Sequence, residues 1–290
     1  MDLSFIQEQL DTKGYCIIPN ILNKDEINIA IESFKEWQNS IPDHEHVSKN
    51  INSNGIYKFY RAGHTKHAWF IRTRPNVQNI FKELWKTDEL ITSFDGCCYI
   101  SKDSKKEDTC WIHSDQGPLR KGCQCYQSFV ALTENKEKTL VVYEGSHLLH
   151  ESYFEERNNQ SERNWQLIEP EYLSTIENKR RVLHVPAGAM VIWDSRTFHQ
   201  NQHGNLESDE ERMIQYICFF PKNHPFNDEE NQEVREFCFD HRITSTHWPA
   251  PLRYLPLQPA SFGYRDIYIN YDTLPVPNID EFTEEIVKIL

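Results

Sequence analysis

The sequence predicts a mainly β fold, a sandwich or a closed barrel, with helices flanking it. Three observations predict this. From Gly96 onward, short apolar runs rich in Val, Ile, Tyr, Phe and Trp are separated by polar turns. Ahead of Gly96, apolar residues recur at helical spacing. No repeat, low-complexity block or linker divides the 290 residues, enough for one large domain with a buried core.

Taken in order, residues 3–12 read as a short helix, and Gly14 to Pro19 as a strand stopped by proline. Asn23 can cap a helix, because Glu26 follows three residues later and Ile27, Ile31 and Phe34 keep a helical period. A second helix is expected over Val77–Trp85, with Ile80, Phe81 and Leu84 on its buried face, and Asp88–Phe94 reads as a further turn or two. The strands expected next are Cys97–Ser101, Cys110–His113, Tyr126–Thr133, Thr139–Tyr143, Val182–Val185, Ala189–Trp193 and Met213–Phe220. Glu155–Asn164 is highly polar and reads as an exposed insertion, and Glu207–Glu211 as an acidic loop. A helix is expected over Asp228–Phe239, followed by a proline-rich tail, Pro249–Pro277, that wraps the core. The reading is one domain: a helical part to about residue 95, a β core over about 96–221, and a C-terminal helix and wrap over 222–290.

Composition excludes several classes. The 44 acidic residues outnumber 31 basic ones, and a surface of net charge −13 repels phosphate backbones, so nucleic acid is not an expected partner. No apolar run reaches the roughly 20 residues of a membrane span, and the N-terminus lacks a signal peptide's basic start, so the expected address is the cytoplasm. Eight cysteines without CxxC spacing read as buried thiols in strands.

The chemistry concentrates in Trp111-Ile112-His113-Ser114-Asp115. On a strand, residues two apart face one side, so His113 and Asp115 can aim at a single ion. An imidazole and a carboxylate are two of the three ligands that hold non-haem Fe(II) and leave positions open. Alone, the pair could equally be a surface histidine beside a turn aspartate. Downstream, the turn and strand from Pro186 to Asp194 lead into His199, which lies 84 residues after Asp115. Arg212, at the start of the next strand, can grip a carboxylate through two parallel charge-assisted bonds, as the 5-carboxylate of 2-oxoglutarate requires.

With these residues in place, the sequence resembles the phytanoyl-CoA dioxygenase family of Fe(II)/2-oxoglutarate-dependent oxygenases. The resemblance runs from Gly14-Tyr15-Cys16-Ile17-Ile18-Pro19 to about Pro221. It includes Trp111 to Gln116, Val142-Tyr143-Glu144-Gly145-Ser146-His147, the strand into His199, and Arg212. It implies a double-stranded β-helix core, a cupin-like jelly roll, with N-terminal helices. It also implies iron bound by His113, Asp115 and His199, and 2-oxoglutarate bound by Arg212. O2 and a small molecule would be the other substrates, succinate and CO2 the products, and ascorbate a reductant in vitro. Asp115 stands where halogenating relatives leave a position open, which favours hydroxylation or desaturation. Acyl-CoA chemistry is not carried over, since the net charge of −13 gives no encouragement to a highly anionic thioester.

Around this set, Tyr99 and Gln127 on early strands, and Ser195 beside the distal histidine, are candidate 2-oxoglutarate contacts, with Trp193 also flanking His199. His147 is assigned to structure, and His184, His203 and His241 to ordinary polar roles. Tyr57–His64 either borders the pocket or packs its aromatics under a loop. Two other classes remain. A cupin-like module could hold Zn(II) and polarise water for hydrolysis, though it would need no carboxylate clamp at Arg212. A catalytically dead jelly roll could bind a partner through its acidic face, but the intact histidine and aspartate set argues against that.

Overall fold

A computed structural model describes residues 3–50, 54–259 and 267–290. Its helices start where the side chains dictate. The helix Leu3–Lys13 buries Ile6 and Leu10. The helix Lys24–Asn39 begins at a capping box. Asn23 Oδ1 accepts from the Asp25 and Glu26 amides, and Glu26 Oε2 accepts from the Asn23 amide. The helix Pro75–Trp85 opens on proline, whose missing amide costs nothing in a first turn.

The strands are β1 (Tyr15–Ile18), β2 (Ile56–Tyr57), β3 (Leu90–Thr92), β4 (Cys97–Ile100), β5 (His113–Ser114), β6 (Tyr126–Ala131), β7 (Leu140–Tyr143), β8 (Gln166–Leu167), β9 (Arg180–Val182), β10 (Met190–Asp194), β11 (His199–Asn201), β12 (Arg212–Ile217) and β13 (Phe219–Pro221). A large antiparallel sheet runs β1-β10-β6-β12-β4-β2, and a smaller one runs β8-β5-β11-β7-β9. Together they form the expected jelly roll. Successive side chains on the large sheet separate into two cores. Phe129, Val191 and Ile214 face Leu140 and Val142 of the smaller sheet, with Leu183 just past the end of β9. Val130, Ile192 and Met213 face the other way, against Phe34, Trp69 and Phe81 of the helices. The smaller sheet is thus left with the inner face on which a site can be built.

Four expectations need correction. Residues 90–92 form β3 and not a helical turn: Leu90, Ile91 and Thr92 are all buried, and they pair with β13 in a separate two-stranded sheet. The run Cys110–His113 is strand only from His113, because the Trp111 amide donates to the Gln200 side chain instead of joining a ladder. Met213–Phe220 breaks at Cys218, whose carbonyl accepts from Ser93 while the chain leaves the large sheet for β3. Strand β9 ends at Val182, and Val185 makes only an isolated bridge to Asn135. The C-terminal helix spans Glu229–Asp240 with Asp228 as its cap. Of the proline-rich tail, Ala250 and Leu252 are buried, whereas 260–266 lie outside the described residues. No described helix is long and apolar enough to cross a membrane.

Candidate iron centre

The smaller sheet sets the site by register. His199 on β11 lies directly opposite His113 on β5, so the two imidazoles meet with centroids 4.4 Å apart. Asp115 follows β5 by one residue, and its amide donates to the Ser195 carbonyl, which folds the carboxylate back over the pair. His113 Nε2 lies 3.7 Å from Asp115 Oδ1, and His199 Nε2 lies 3.4 Å from Oδ2. One ligand atom from each residue falls within 4.8 Å of the other two.

The tautomers are set from behind. His113 Nδ1 bonds the Trp111 carbonyl at 3.1 Å, and His199 Nδ1 bonds the Thr197 carbonyl at 2.9 Å. A carbonyl only accepts, so each Nδ1 carries the proton and each Nε2 turns a lone pair toward Asp115. Burial pushes the His113 pKa down, and the neighbouring His199 adds to this. Burial alone would raise the Asp115 carboxyl, but His113 and His199 outweigh it and hold it well below the usual range. Two imidazoles facing one carboxylate suit a divalent cation.

Gln127 on β6 donates from Nε2 to Asp115 Oδ2 at 2.9 Å and borders the cavity. Ser195 is fully buried and does not border it: its Oγ donates to Gln116 Oε1, bracing the loop behind Asp115. Its place as a 2-oxoglutarate contact is therefore corrected to a support. Tyr99 also needs correction. It faces the helices, packs near Phe34 and donates to Glu211, on the opposite side of β4 from the inner core. Arg212 is fully buried on the inner face of β12. Its Nη1 reaches the Thr139 carbonyl at 3.4 Å, while Nε and Nη2 have no protein partner. It forms no ion pair among the described residues, and Leu140, Asn201 and Tyr216, not Arg212 itself, border the cavity on that side. A buried guanidinium with orphaned donors fits an anion that arrives as a ligand.

Above the triad opens a cavity of about 820 Å³. Trp111 stacks on His113 with ring centroids 5.0 Å apart, Trp165 closes on its other side, and Trp193 lies against His199. Of the segment Tyr57–His64, Lys58 borders the cavity, whereas Tyr57 is buried with its hydroxyl on His44. His147 is buried against the Asp11 carbonyl, a structural role. One pair escaped sequence reasoning. His247 Nδ1 bonds Asp95 Oδ2 at 2.6 Å, joining the C-terminal segment to the start of β4 at the cavity wall. Burial lowers the His247 pKa, but Asp95, with Cys218, lifts it to about 10. Nothing in their spacing signals this, for 152 residues separate the two.

Residues 10–210 match the family model described as phytanoyl-CoA dioxygenase (PhyH). The chain belongs to the phytanoyl-CoA dioxygenase family. Members of that family are Fe(II)/2-oxoglutarate-dependent enzymes, and the triad lies inside the matched residues. A relative, Ava biosynthesis cluster protein O of Aspergillus versicolor, is 29% identical over 269 residues, covering 84% of this chain and 85% of its own. Among solved structures, the epimerase SnoN in complex with Fe3+, alpha ketoglutarate and nogalamycin RO superposes with a TM-score of 0.52. It is 16% identical, over 76% of this chain and 83% of that one. AviO1 from Streptomyces viridochromogenes Tue57 also gives 0.52 at 12% identity, over 77% of this chain and 97% of that one. EctD from S. alaskensis, solved with 2-oxoglutarate and 5-hydroxyectoine, gives 0.50 at 14%, over 74% of each. These likenesses are of fold, and they place the phytanoyl-CoA dioxygenase member described here on the same jelly roll.

Proposed function

We propose that this protein is a dioxygenase that hydroxylates a small-molecule substrate, using Fe(II) and 2-oxoglutarate and releasing succinate and CO2. The observation that carries the reading is the convergence of His113 Nε2, His199 Nε2 and the Asp115 carboxylate within one coordination sphere. These three would hold one face of the iron and leave positions for 2-oxoglutarate and O2. Bound iron supplies the redox chemistry that couples 2-oxoglutarate decarboxylation to oxidation of a C–H bond.

The chain's own groups do the rest. The carbonyls of Trp111 and Thr197 hold both imidazoles in the ligating tautomer. Gln127 restrains one Asp115 oxygen, which limits the carboxylate's swing. Arg212 takes the far carboxylate of 2-oxoglutarate through its two unpartnered donors. Because Asp115 is present as a ligand, no position is left for a halide, which favours hydroxylation. The neighbour solved with 2-oxoglutarate and 5-hydroxyectoine is in keeping with this, whereas the one described as an epimerase marks the other outcome to test. We also read the chain as one domain. Ile269, Ile286 and Ile289 of the C-terminal part pack in the same cluster as Phe34 and Ile80 of the N-terminal helices.

The test is succinate release from 2-oxoglutarate by anaerobically loaded protein, measured with Fe(II) or Zn(II) and with or without O2. Succinate is expected only with Fe(II) and O2, with Zn(II) inhibiting because N/O sites generally prefer it to Fe(II). Turnover supported by Zn(II) alone would replace this reading with the hydrolase one.

A further inference from the structure

The mouth of the cavity carries a charge opposite to that of the protein. Lys58, Arg120, Arg163 and Arg253 border it, in a chain of net charge −13. The acids along the same wall are Asp95, Asp115 and Glu162. Asp95 is bonded to His247, and Asp115 is committed to the histidine pair, so Glu162 alone is left on this wall against the three arginines.

The arginines at this opening keep their charge free of carboxylates, in contrast to two basic residues close by. Lys121, one residue from Arg120, pairs with both Glu151 and Glu155, and Arg157 pairs with Glu169. Among the described residues, Arg120, Arg163 and Arg253 form no ion pair. Three guanidinium groups without a carboxylate partner thus stand around one opening. Arg120 is also held in place: its Nε donates to Asn164 Oδ1 at 2.9 Å, and its guanidinium lies 4.8 Å from the Phe226 ring and 5.6 Å from that of Trp248. Burial and the nearby charge of Arg253 both push its pKa down, and both arginines border the cavity.

Between this mouth and the triad the walls are aromatic. Trp248 lies beside Arg120, while Trp111 and Trp165 flank His113, and Trp165 is 49% exposed at the rim. An exposed tryptophan at the rim of a cavity is a contact surface in search of an apolar partner. We infer that the substrate is an organic carboxylate with a flat apolar body, its carboxylate held by Arg120 and Arg253 and its body lying among Trp248, Trp111 and Trp165. Two guanidinium forks suit the planar oxygens of a carboxylate, and the tryptophan faces suit a flat ring system. Arg253 and Trp248 lie beyond residue 210, so this end of the cavity is outside the part of the chain that matches the family model.

The inference names a substrate class for the proposed iron centre, and it rests on that reading. Its test needs no turnover. Binding of 2-naphthoate and of its uncharged counterpart 2-naphthylmethanol is measured by calorimetry, on the full chain both metal-free and loaded anaerobically with Fe(II) and 2-oxoglutarate. Wild-type protein is expected to bind 2-naphthoate at least about tenfold more tightly than the alcohol, with a preference that shrinks as salt rises. Arg120→Gln and Arg253→Gln are each expected to weaken naphthoate roughly tenfold while leaving the alcohol within a factor of about two. Arg253 is exposed, so its variant keeps the test open if Arg120→Gln fails to fold, and the wild-type salt series needs no variant at all. Equal affinity for the two probes, or equal loss of both in the arginine variants, would overturn the inference. So would loss of naphthoate binding in Arg212→Lys without loss in the mouth variants, since the carboxylate would then occupy the 2-oxoglutarate position. Failure of succinate release with these binding results intact would count against the oxygenase reading and leave the carboxylate site standing.

Discussion

At the scale of single residues, the site depends on groups that never touch the ion. Gln127 holds one oxygen of Asp115, and its own Oε1 has no protein partner. Gln127→Leu keeps the bulk and removes the donor. It should lower Fe(II) affinity roughly 10–100-fold, the usual cost of losing a group that orients a ligand. Competition with a coloured chelator reads this, and an unchanged affinity would mean that Asp115 is held by the backbone alone. Arg212→Lys keeps a charge but loses the fork, so 2-oxoglutarate affinity should fall about tenfold while thermal stability changes little. The meeting of His113 with Asp115 was legible in the sequence because a two-residue period and two residue types suffice to place them together. Tyr99 was not, because the sequence does not set the parity of a short strand. Cys98 turned inward, so Tyr99 turned out, and a shift of one residue reverses every face.

Elements divide along the same line. Asn23 and Glu26 form the reciprocal cap that their spacing promised, since capping is a local matter of one turn. Asn23→Ala should therefore cost about 1 kcal/mol, read as a lower urea midpoint with unchanged slope. A changed slope would point to a change in the unfolded chain instead. Residues 90–92 were misread for the opposite reason. Leu90-Ile91-Thr92 is a short apolar run, and only the distant Phe219–Pro221 makes it a strand. The same holds for β12 and β13, which read as one continuous strand. Their break at Cys218 depends on Ser93, more than a hundred residues away, taking the carbonyl.

For the molecule as a whole, the Asp95–His247 pair ties the C-terminal segment to the barrel. The His247 pKa is raised above its ordinary value to about 10, so its contribution to stability is complete below about pH 6.5. That contribution is lost as pH rises through the folded-state pKa. Urea unfolding at pH 6, 8 and 9.5 should show stability falling at the alkaline end, and His247→Gln together with Asp95→Asn should flatten that part of the profile. A fall just as steep in the double variant would assign it to other groups. The Asp95–His247 pair was invisible in the sequence because it joins two segments with no shared motif.

The cavity wall has one more consequence. The candidate iron ligands stand on β5, β11 and the turn after β5, whereas His247, Trp248 and Arg253 come from a segment that follows the last strand of the barrel. One end of the cavity is thus encoded apart from the other, for Trp111, Arg120 and Trp165 lie in the same stretch as His113 and Asp115. Chimaeras that graft residues 242–255 from a related protein onto this barrel should accordingly shift the preference among carboxylates, the end that Arg253 and Trp248 supply, and keep the host's iron affinity.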